Sequence, residues 1–264
     1  MVDHPDCGDA FTIRGADIFY PELGGSAVYL HAFLINTITM PLLSVIIPVY
    51  NEENTVEKVI DVINAVDIDK EIIVVNDAST DRTGEILENL KMPNLKLFSH
   101  PRNLGKGAAF RTGLKAAAGK IVIIQDADLE YNPYDYLKLL PPILNNQADM
   151  VLGARFIKGY SGLKMHRMGN RVLTALHNLL FRDNLNDLYT CYKTARKEVF
   201  QDMELKSDGF SIEQEIMAKA ARRKLRVMEV PIGYHPRSYA QGKKIRYHDA
   251  FKVILRMIRV RFFG

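Results

Sequence analysis

From residue 42 onward, short apolar runs alternate with stretches whose apolar residues recur at helical spacing. Runs such as 43–49 and 120–125 are continuous and rich in β-branched residues, which predicts strands buried on both faces of a sheet. Between such runs, segments such as 53–66 place their apolar residues on one helical face. The predicted strands are 43–49, 72–75, 95–98, 120–125, 150–153 and 226–232, and the predicted helices are 53–66, 81–90, 107–118, 132–145 and 212–222. This alternation predicts an α/β fold with a mixed, mostly parallel sheet and helices on both faces.

The two ends of the chain differ from this alternating region. Residues 1–39 lack its pattern and precede the first strong strand, so we interpret them as an N-terminal extension without an assigned role. Residues 40–245 form the predicted α/β domain, which becomes mostly helical after residue 162, with a single further strand. Residues 246–264 predict a basic amphipathic helix. Two adjacent prolines, Pro141 and Pro142, should interrupt the helix predicted at 132–145.

Two triplets of the form Asp-x-Asp are present, and their positions relative to the strands distinguish them. Asp126 and Asp128 follow a predicted strand directly, at the end where open α/β sheets bind ligands. Asp67 and Asp69 instead precede a strand, which indicates a solvated loop. Carboxylate oxygens suit Mg²⁺ or Mn²⁺, ions typically held by one or two carboxylates together with a substrate's phosphates. The first triplet therefore predicts a metal–diphosphate site.

Polar loops at 48–52, 76–81 and 103–107 accompany the loop at 126–130. The loop at 103–107 contains two glycines and Lys106 at the start of a helix, where backbone N–H groups and the helix dipole favour an anion. Each loop alone is explained by ordinary turn chemistry, but four on one edge of a sheet indicate a nucleotide–metal site. The sequence has no Walker A loop and no G-x-G-x-x-G after the first strand, which argues against a dinucleotide-dependent dehydrogenase.

Composition adds a charge asymmetry and little else. The 264 residues are 47% hydrophobic and 25% charged, which is typical of globular proteins. The two cysteines, Cys7 and Cys191, indicate a reducing compartment without a disulfide framework. Residues 222–264 hold 12 Lys and Arg against two acids, a net charge of +10 in a chain whose total is +4. This end of the chain is therefore expected to meet an anionic partner.

The four loops resemble the motifs of family 2 glycosyltransferases with the GT-A fold, a Rossmann-like fold of nucleotide-diphospho-sugar transferases. The matching segments are LSVIIPVYNE at 43–52, VVNDASTD at 74–81, NLGKG at 103–107 and DADLE at 126–130. Within that family the chain resembles the polyprenyl-phosphate group, typified by dolichyl-phosphate mannose and glucose synthases. Segments that fit this group are 153–156, 208–215, 229–237 and 242–245. The resemblance extends from about residue 40 to about residue 262.

The resemblance implies a role for each matching residue. Residues that would line the pocket for the donor's nucleobase and ribose are Pro48, Tyr50, Glu52 and Asp77. Residues that would hold the metal and the diphosphate are Asp126 and Asp128, with Glu130 as a further metal ligand. Basic residues that would contact the donor phosphates are Lys106, Arg237, Lys243 and Lys244. Arg155 and Arg167 would face the acceptor phosphate, which makes them, with Asp128, the catalytic candidates. The chain departs from the family at Asn76, where an acid is usual, so the resemblance does not define the contact with the base at that position.

The implied activity is inverting transfer of a hexose from a GDP-mannose or UDP-glucose type of donor to a polyprenyl phosphate such as dolichyl phosphate. A phosphate acceptor is already anionic at neutral pH, so it requires no strong general base. A sugar hydroxyl acceptor, as in polysaccharide or glycolipid assembly, is the alternative and would require a positioned carboxylate. Glu213 and Glu215 are the candidates for that carboxylate, although acids at the start of a helix also stabilise its dipole.

The end of the chain bears on the acceptor. Its apolar stripe consists of Phe251, Ile254, Leu255, Ile258 and Phe262, beside a basic stripe of Lys252, Arg256 and Arg259. Such a helix suits an anionic membrane surface, although a helix packed on the domain with a solvated basic side would show the same pattern. We expect peripheral attachment to the cytoplasmic face of a membrane. A non-enzymatic module binding membranes or nucleic acid would leave the acidic loops unexplained, so we expect no nucleic-acid partner.

Overall fold

The computed structural model describes residues 40–156, 164–237, 254–255 and 257–262. Strands β1 to β7 are Leu43–Val49, Lys70–Asn76, Leu95–Ser99, Ile121–Ile124, Met150–Ala154, Lys193–Arg196 and Val227–Pro231. Helices α1 to α8 are Val56–Ala65, Thr83–Asn89, Lys106–Ala116, Tyr136–Leu139, Pro141–Leu144, Lys164–Phe181, Lys197–Asp202 and Ile212–Arg222, with a 3-10 turn at Pro133–Asp135 before α4. Residues 254–255 and 257–262 are also helical.

The seven strands form one sheet in the order β3-β2-β1-β4-β6-β5-β7. Neighbouring strands are parallel except where β6 is involved, because β6 runs antiparallel to both β4 and β5. The other strands all point the same way, so their carboxyl ends meet at one side of the sheet, which we call the carboxyl edge. The predicted α/β class with a mixed, mostly parallel sheet is confirmed.

Strand β6 is missing from the sequence prediction, and the expectation of a single strand after residue 162 is wrong. Its four residues, Lys193 to Arg196, contain only one apolar side chain, so they show no strand periodicity. They form a strand because β4 and β5 flank them and offer backbone partners on both sides. Tertiary context of this kind commonly overrides local strand propensity.

The central strands are buried on both faces, as their continuous apolar runs predict. All side chains of β4 are fully buried, and so are nearly all of those of β1 and β2. Because both faces of these strands are shielded, helices and loops must cover the sheet on both sides. Helix α3 packs closely against β1. A side chain at position 113 would collide with Ile46, so this contact requires glycine. The prolines interrupt the helical segment as predicted, since α4 ends at Leu139 and α5 begins at Pro141.

The second acidic triplet lies at the opposite edge of the sheet, before β2. Asp69 accepts a hydrogen bond from the Leu42 N–H at its carboxylate, at 3.1 Å, and another from the Leu43 N–H at its carbonyl oxygen, at 3.2 Å. Asp67 is exposed. These contacts fix the start of β1, and they confirm that this triplet belongs to a loop remote from the carboxyl edge.

The part of the chain that the structure describes contains no helix long and apolar enough to cross a membrane. The predicted domain boundaries, at residues 39/40 and 245/246, remain predictions. Residues 1–39 and most of the segment 238–264, including Lys243 and Lys244, lie outside the described residues.

Candidate active site

Polar residues from three loops gather at the carboxyl edge. Glu52 follows β1, Asp77 follows β2 and Asp128 belongs to the loop after β4. The sheet topology confirms that the predicted loops share this edge, because β1 pairs in parallel with both β2 and β4. The Thr55 hydroxyl joins two of the loops, lying 2.9 Å from Oε2 of Glu52 and 2.7 Å from the carbonyl oxygen of Ala127. The loops therefore form one connected surface.

Arg237, in the segment after β7, connects Glu52 to Asp128. Its Nη1 lies 2.9 Å from Oε2 of Glu52 and its Nη2 lies 2.8 Å from Oδ2 of Asp128. The side chains of Arg237, Glu52 and Asp128 are only 17, 10 and 14% exposed. Since charges are costly to bury unless they are paired, the guanidinium stabilises two carboxylates that would otherwise repel each other. A cation or phosphate that binds here would have to exchange with one of these ion pairs.

Asp128 has more negative charge around it than Arg237 neutralises. Burial, together with the nearby carboxylates of Asp126 and Glu130, raises the pKa of Asp128 to about 7 although Arg237 opposes the shift. A divalent cation at this carboxylate would remove the repulsion, so the residues present fit Mg²⁺ or Mn²⁺. Among the described residues, no group of three or more His, Cys, Asp or Glu side chains could hold a metal unaided. That is the usual situation where a diphosphate supplies the remaining oxygen ligands.

Asp126 is paired with a different cation, Lys106. The Lys106 Nζ lies 2.8 Å from Oδ1 of Asp126 and also 2.8 Å from Oε1 of Glu213, at the start of α8. Burial acts to raise the pKa of Asp126, but the Lys106 ammonium outweighs it and lowers that pKa overall. Asp126 is therefore held ionised beside Asp128. Lys106, predicted to contact donor phosphates, is shared here between two carboxylates.

Glu130 anchors the chain that carries Arg237. Its Oε2 accepts a hydrogen bond from the Tyr234 hydroxyl at 2.6 Å, and its Oε1 accepts one from the Arg237 N–H at 2.7 Å. Its carbonyl oxygen accepts a third from the His235 N–H at 2.8 Å. Both carboxylate oxygens thus have protein donors, and the predicted role of Glu130 as a metal ligand would use the lone pairs that these bonds leave open.

Asp77 and the loop at 103–107 form one unit. Asp77 accepts hydrogen bonds from the N–H groups of Leu104 and Gly105, at 2.9 and 2.7 Å, and it lies 2.7 Å from Nδ1 of His100. The N–H groups of Gly107 and Ala108, the second and third residues of α3, both donate to the carbonyl oxygen of Asp208. An anion at these two donors would have to replace this protein oxygen, and the expected anion site at the start of α3 stays a prediction.

Pro48 and Tyr50 lie where β1 ends and are partly exposed at the carboxyl edge. Three residues other than glycine adopt a left-handed backbone in the adjoining loops: Asn51 with φ 51°, Ala78 with φ 58° and Leu129 with φ 60°. Conformations of this kind are costly and concentrate at functional sites. Hydrogen bonds hold the β1 and β2 loops together, since the Asn51 Oδ1 accepts from the Thr80 N–H at 2.7 Å.

The two arginines predicted to face an acceptor are brought to the same aromatic ring. The guanidinium carbons of Arg155 and Arg167 lie 5.1 and 5.7 Å from the centre of the Phe156 ring. Arg155 is also fixed by Asp187, whose two carboxylate oxygens each accept a 2.8 Å hydrogen bond from it. The Tyr234 ring lies 5.0 Å from the same guanidinium. Arg155 is therefore held by Asp187 against the rings of Phe156 and Tyr234.

Sequence reasoning missed the residues that hold the predicted ones in place. Asp187 lies in the loop before β6, and the N–H groups of Asn186 and Asp187 donate to the Glu229 carboxylate on β7, at 2.8 to 2.9 Å. Tyr234 and Lys193 are further examples. Glu229 and Tyr234 lie in the family-like segment 229–237, but nothing local identifies their partners, and Asp187 and Lys193 lie outside the matching segments, so only long-range contacts reveal these roles.

The sequence profile of glycosyl transferase family 2 matches residues 44–204, more than half of the chain. The chain is 29% identical over 204 residues to the low-salt glycan biosynthesis hexosyltransferase Agl6 of Haloferax volcanii, covering 75% of this chain and 48% of that protein. It is 33% identical over 210 residues to a dolichol-phosphate mannosyltransferase of Pyrococcus furiosus, covering 76% of this chain and 58% of that one. The chain thus spans about half of the length of these curated relatives. An uncharacterized protein of Methanocaldococcus jannaschii is 29% identical over 239 residues, which cover 87% of this chain and 96% of that protein.

The fold is similar to that of the glucosyl-3-phosphoglycerate synthase of Mycobacterium tuberculosis, solved in complex with Mn²⁺, UDP and phosphoglyceric acid. The TM-score is 0.66 at 21% sequence identity, and the likeness covers 85% of this chain and 80% of that one. At this identity the likeness concerns the fold, and it confirms the expected GT-A architecture.

Proposed function

The chain belongs to glycosyl transferase family 2, and we propose that this glycosyltransferase moves a hexose from a nucleoside diphosphate sugar to a polyprenyl phosphate. The proposed donor is of the GDP-mannose or UDP-glucose type, and the proposed cofactor is Mg²⁺ or Mn²⁺. The observation that carries the proposal is the meeting of Glu52, Asp128 and Arg237 at the carboxyl edge. The names of two relatives, a hexosyltransferase and a dolichol-phosphate mannosyltransferase, support the substrate class.

On the donor side, the reaction builds negative charge on the departing diphosphate. A bound Mg²⁺ or Mn²⁺, held by Asp128 with Asp126 beside it, would supply the Lewis acid that neutralises this charge. Arg237 would exchange its ion pair with Asp128 for the diphosphate, which keeps the buried guanidinium paired with an anion. Pro48, Tyr50, Glu52 and Asp77 would border the nucleoside at the ends of β1 and β2, and the loop cations Lys243 and Lys244 would add further phosphate contacts.

On the acceptor side, a phosphate monoester is already an anionic nucleophile. Attack on the anomeric carbon from the side opposite the diphosphate would invert that centre in one displacement. Arg155 and Arg167 would hold the acceptor phosphate near Phe156, and the bidentate pair with Asp187 would keep Arg155 oriented. No proton has to be removed from such an acceptor.

The two carboxylates considered as bases for a hydroxyl acceptor are both occupied. Glu213 accepts from the ammonium groups of Lys106 and Lys193. Glu215 is fully buried and accepts from the N–H groups of Lys206 and Ser207. Use of either carboxylate as a base would break these contacts, since each already accepts hydrogen bonds from protein donors. This observation favours the phosphate acceptor over the sugar hydroxyl.

The test is release of the nucleoside diphosphate by the purified full-length chain. We expect UDP or GDP to be released from UDP-glucose or GDP-mannose in the presence of Mn²⁺, with release stimulated by dolichyl phosphate and stopped by EDTA. Release that responds to a sugar acceptor, and not to dolichyl phosphate, would favour the hydroxyl alternative. If neither donor yields a nucleoside diphosphate under any of these conditions, the proposed donor class is wrong.

We also propose that the enzyme works at an anionic membrane surface. In the described part of the C-terminal helix, Leu255, Ile258 and Phe262 are exposed while Met257 and Val260 are buried against the domain. The exposed residues belong to the apolar stripe of the sequence pattern, and the exposed Arg259 lies beside them. Exposed apolar residues next to basic ones suit the interface of anionic lipids.

A further inference from the structure

A chain of alternating charges runs inward from the carboxyl edge. Asp126 is paired with Lys106, and Lys106 with Glu213, each at 2.8 Å. The second carboxylate oxygen of Glu213 contacts the ammonium of Lys193 on β6, which also donates to the carbonyl oxygen of Thr190. Exposure decreases along the chain, from 26% at Asp126 to 12% at Lys106, 7% at Glu213 and zero at Lys193.

The inner pair, Glu213 and Lys193, cannot contact a substrate directly. Lys193 is wholly enclosed, and both oxygens of Glu213 are taken by ammonium groups. A buried ion pair is also weak evidence for stability, because a well-packed apolar pair of similar volume is often as stable. An apolar pair would lack one property of Glu213 and Lys193, which is their electrostatic effect on Lys106 and Asp126.

We propose that Glu213, held by Lys193, is a positioning residue for Asp126. Because Glu213 also pairs with Lys106, its negative charge offsets the positive potential of the ammonium at Asp126. Glu213 thereby fixes Lys106 towards Oδ1 of Asp126 while the site stays negative enough for the metal–diphosphate. The inference rests on the proposed function, in which Asp126 faces that metal. It assigns Glu213 a role other than that of a general base.

The sharpest variant removes the inner pair without changing the net charge. Replacing Glu213 alone would leave Lys193 buried and unpaired, which is strongly destabilising, so the test is the double variant Glu213→Gln with Lys193→Met. Lys106 would then have Asp126 as its only carboxylate partner in this chain of charges and neutralise it more fully. We expect the affinity for Mn²⁺ to fall about threefold, because Glu213 lies one contact nearer to Asp126 than Lys193 does, so its lost negative charge outweighs the lost positive charge there.

The control is a second Glu–Lys pair at the opposite edge of the sheet, in which the glutamate is buried and the Lys96 side chain is 46% exposed. Lys96 Nζ lies 2.6 Å from Oε2 of Glu71, and the Glu71 side chain is 7% exposed. The double variant Glu71→Gln with Lys96→Met removes this pair in the same charge-neutral way, far from the carboxyl edge. We expect it to bind Mn²⁺ like the wild-type chain.

A third variant reverses the sign of the effect. Lys106→Gln removes the positive charge beside Asp126 while keeping an amide donor, so the potential at the metal site becomes more negative. We expect Mn²⁺ to bind at least about threefold more tightly, whereas general damage to the site would weaken binding in every variant. This variant also decides the question if the Glu213/Lys193 double variant does not fold.

The measurement is a titration of the full chain with Mn²⁺ followed by electron paramagnetic resonance of the free ion, with GDP or UDP present, and with thermal melting recorded in parallel. Weaker binding in the Glu213/Lys193 variant with tighter binding in Lys106→Gln is the expected result. If the wild-type chain binds Mn²⁺ and releases nucleoside diphosphate, unchanged affinity in the Glu213/Lys193 variant or weaker binding in Lys106→Gln would overturn the positioning role of Glu213. The proposed function would then still stand. A wild-type chain that binds no Mn²⁺ would overturn this inference together with the metal dependence of the proposed function.

Discussion

At the scale of single residues, Asp128 stands out because its neighbours disfavour its charge. Its pKa is raised to about 7 by burial and by the carboxylates of Asp126 and Glu130, so in this structure its ionised form depends on Arg237. Asp126, two residues earlier, is held ionised by Lys106. The two carboxylates of one triplet therefore have different supports, and we expect them to respond differently to substitution.

Replacing Asp128 with alanine tests its role directly. We expect metal-dependent turnover to fall by at least about 100-fold, since a principal contact for charge in the transition state is lost. The fold should survive, because Asp128 lies in a loop and its removal relieves repulsion. Nucleoside diphosphate release and thermal melting provide the measurements, and Asp67→Ala, in the exposed triplet at the opposite edge, is the matched control. Near-normal turnover of the Asp128 variant would remove the central claim.

At the scale of elements, the segment after β7 depends on the loop after β4. Glu130 anchors this segment through Tyr234, His235 and the Arg237 backbone, so the position of the Arg237 guanidinium depends on contacts across the sheet. Arg237 and Glu52 are 185 residues apart in sequence. This distance explains why the loop motifs could be predicted from strand context while their cross-links could not, because no local pattern encodes a partner so far away.

The contribution of the anchor is separable from metal binding. Glu130→Ala removes the acceptors for the Tyr234 hydroxyl and the Arg237 N–H, and we expect kcat/KM for the donor to fall about 10- to 100-fold, as for lost hydrogen bonds to a charged group. Tyr234→Phe should lower kcat/KM in the same direction but less, since it removes one of these bonds. Steady-state kinetics with varied donor provide the check. A Tyr234→Phe variant with wild-type kinetics would instead favour Glu130 as a metal ligand.

The start of α3 gives a second prediction at this scale. Gly105 has φ +95°, and a Cβ there would lie 2.5 Å from the carbonyl oxygen of Asp208. We expect Gly105→Ala to lower the free energy of unfolding by about 2 kcal/mol or more, from left-handed strain and this close contact. Gly169→Ala on α6 has nothing within 4 Å of its Cβ and should raise it by about 0.5–1 kcal/mol. Urea unfolding of both variants distinguishes the two cases, and equal effects would contradict the strain argument.

At the scale of the whole molecule, sequence reasoning succeeded where the chain is locally regular. The continuous apolar runs of β1, β2 and β4 identify the centre of the sheet, and strand direction then identifies the carboxyl edge. It failed at β6, whose Lys193 is fully buried although lysine indicates a surface position. The buried ammonium is satisfied by its ion pair with Glu213 and by the carbonyl oxygen of Thr190, and the ion pair forms only once the sheet and α8 have assembled.

The charge asymmetry belongs to the same scale and predicts where the enzyme acts. We expect the full chain to float with vesicles containing anionic lipids and to be released by salt, because basic side chains near such a surface are attracted by screened electrostatics. A chain shortened to end at Ile245 should stay in the soluble fraction. Liposome flotation of both, with neutral vesicles as the control, provides the measurement. Identical behaviour of the two chains would contradict the membrane proposal.

The late, reversed strand β6 also constrains the order in which the protein can be completed on the ribosome. Strands β1 to β4 form a continuous block from Leu43 to Ile124. Strands β4 and β5 share no backbone hydrogen bonds and are joined only through β6, which is synthesised after both. Until Lys193–Arg196 emerges, β4 is an open sheet edge that can pair wrongly with other nascent chains. We expect the block of β1 to β4 to take shape early in synthesis, with β5 to β7 joining it only after β6 has been made.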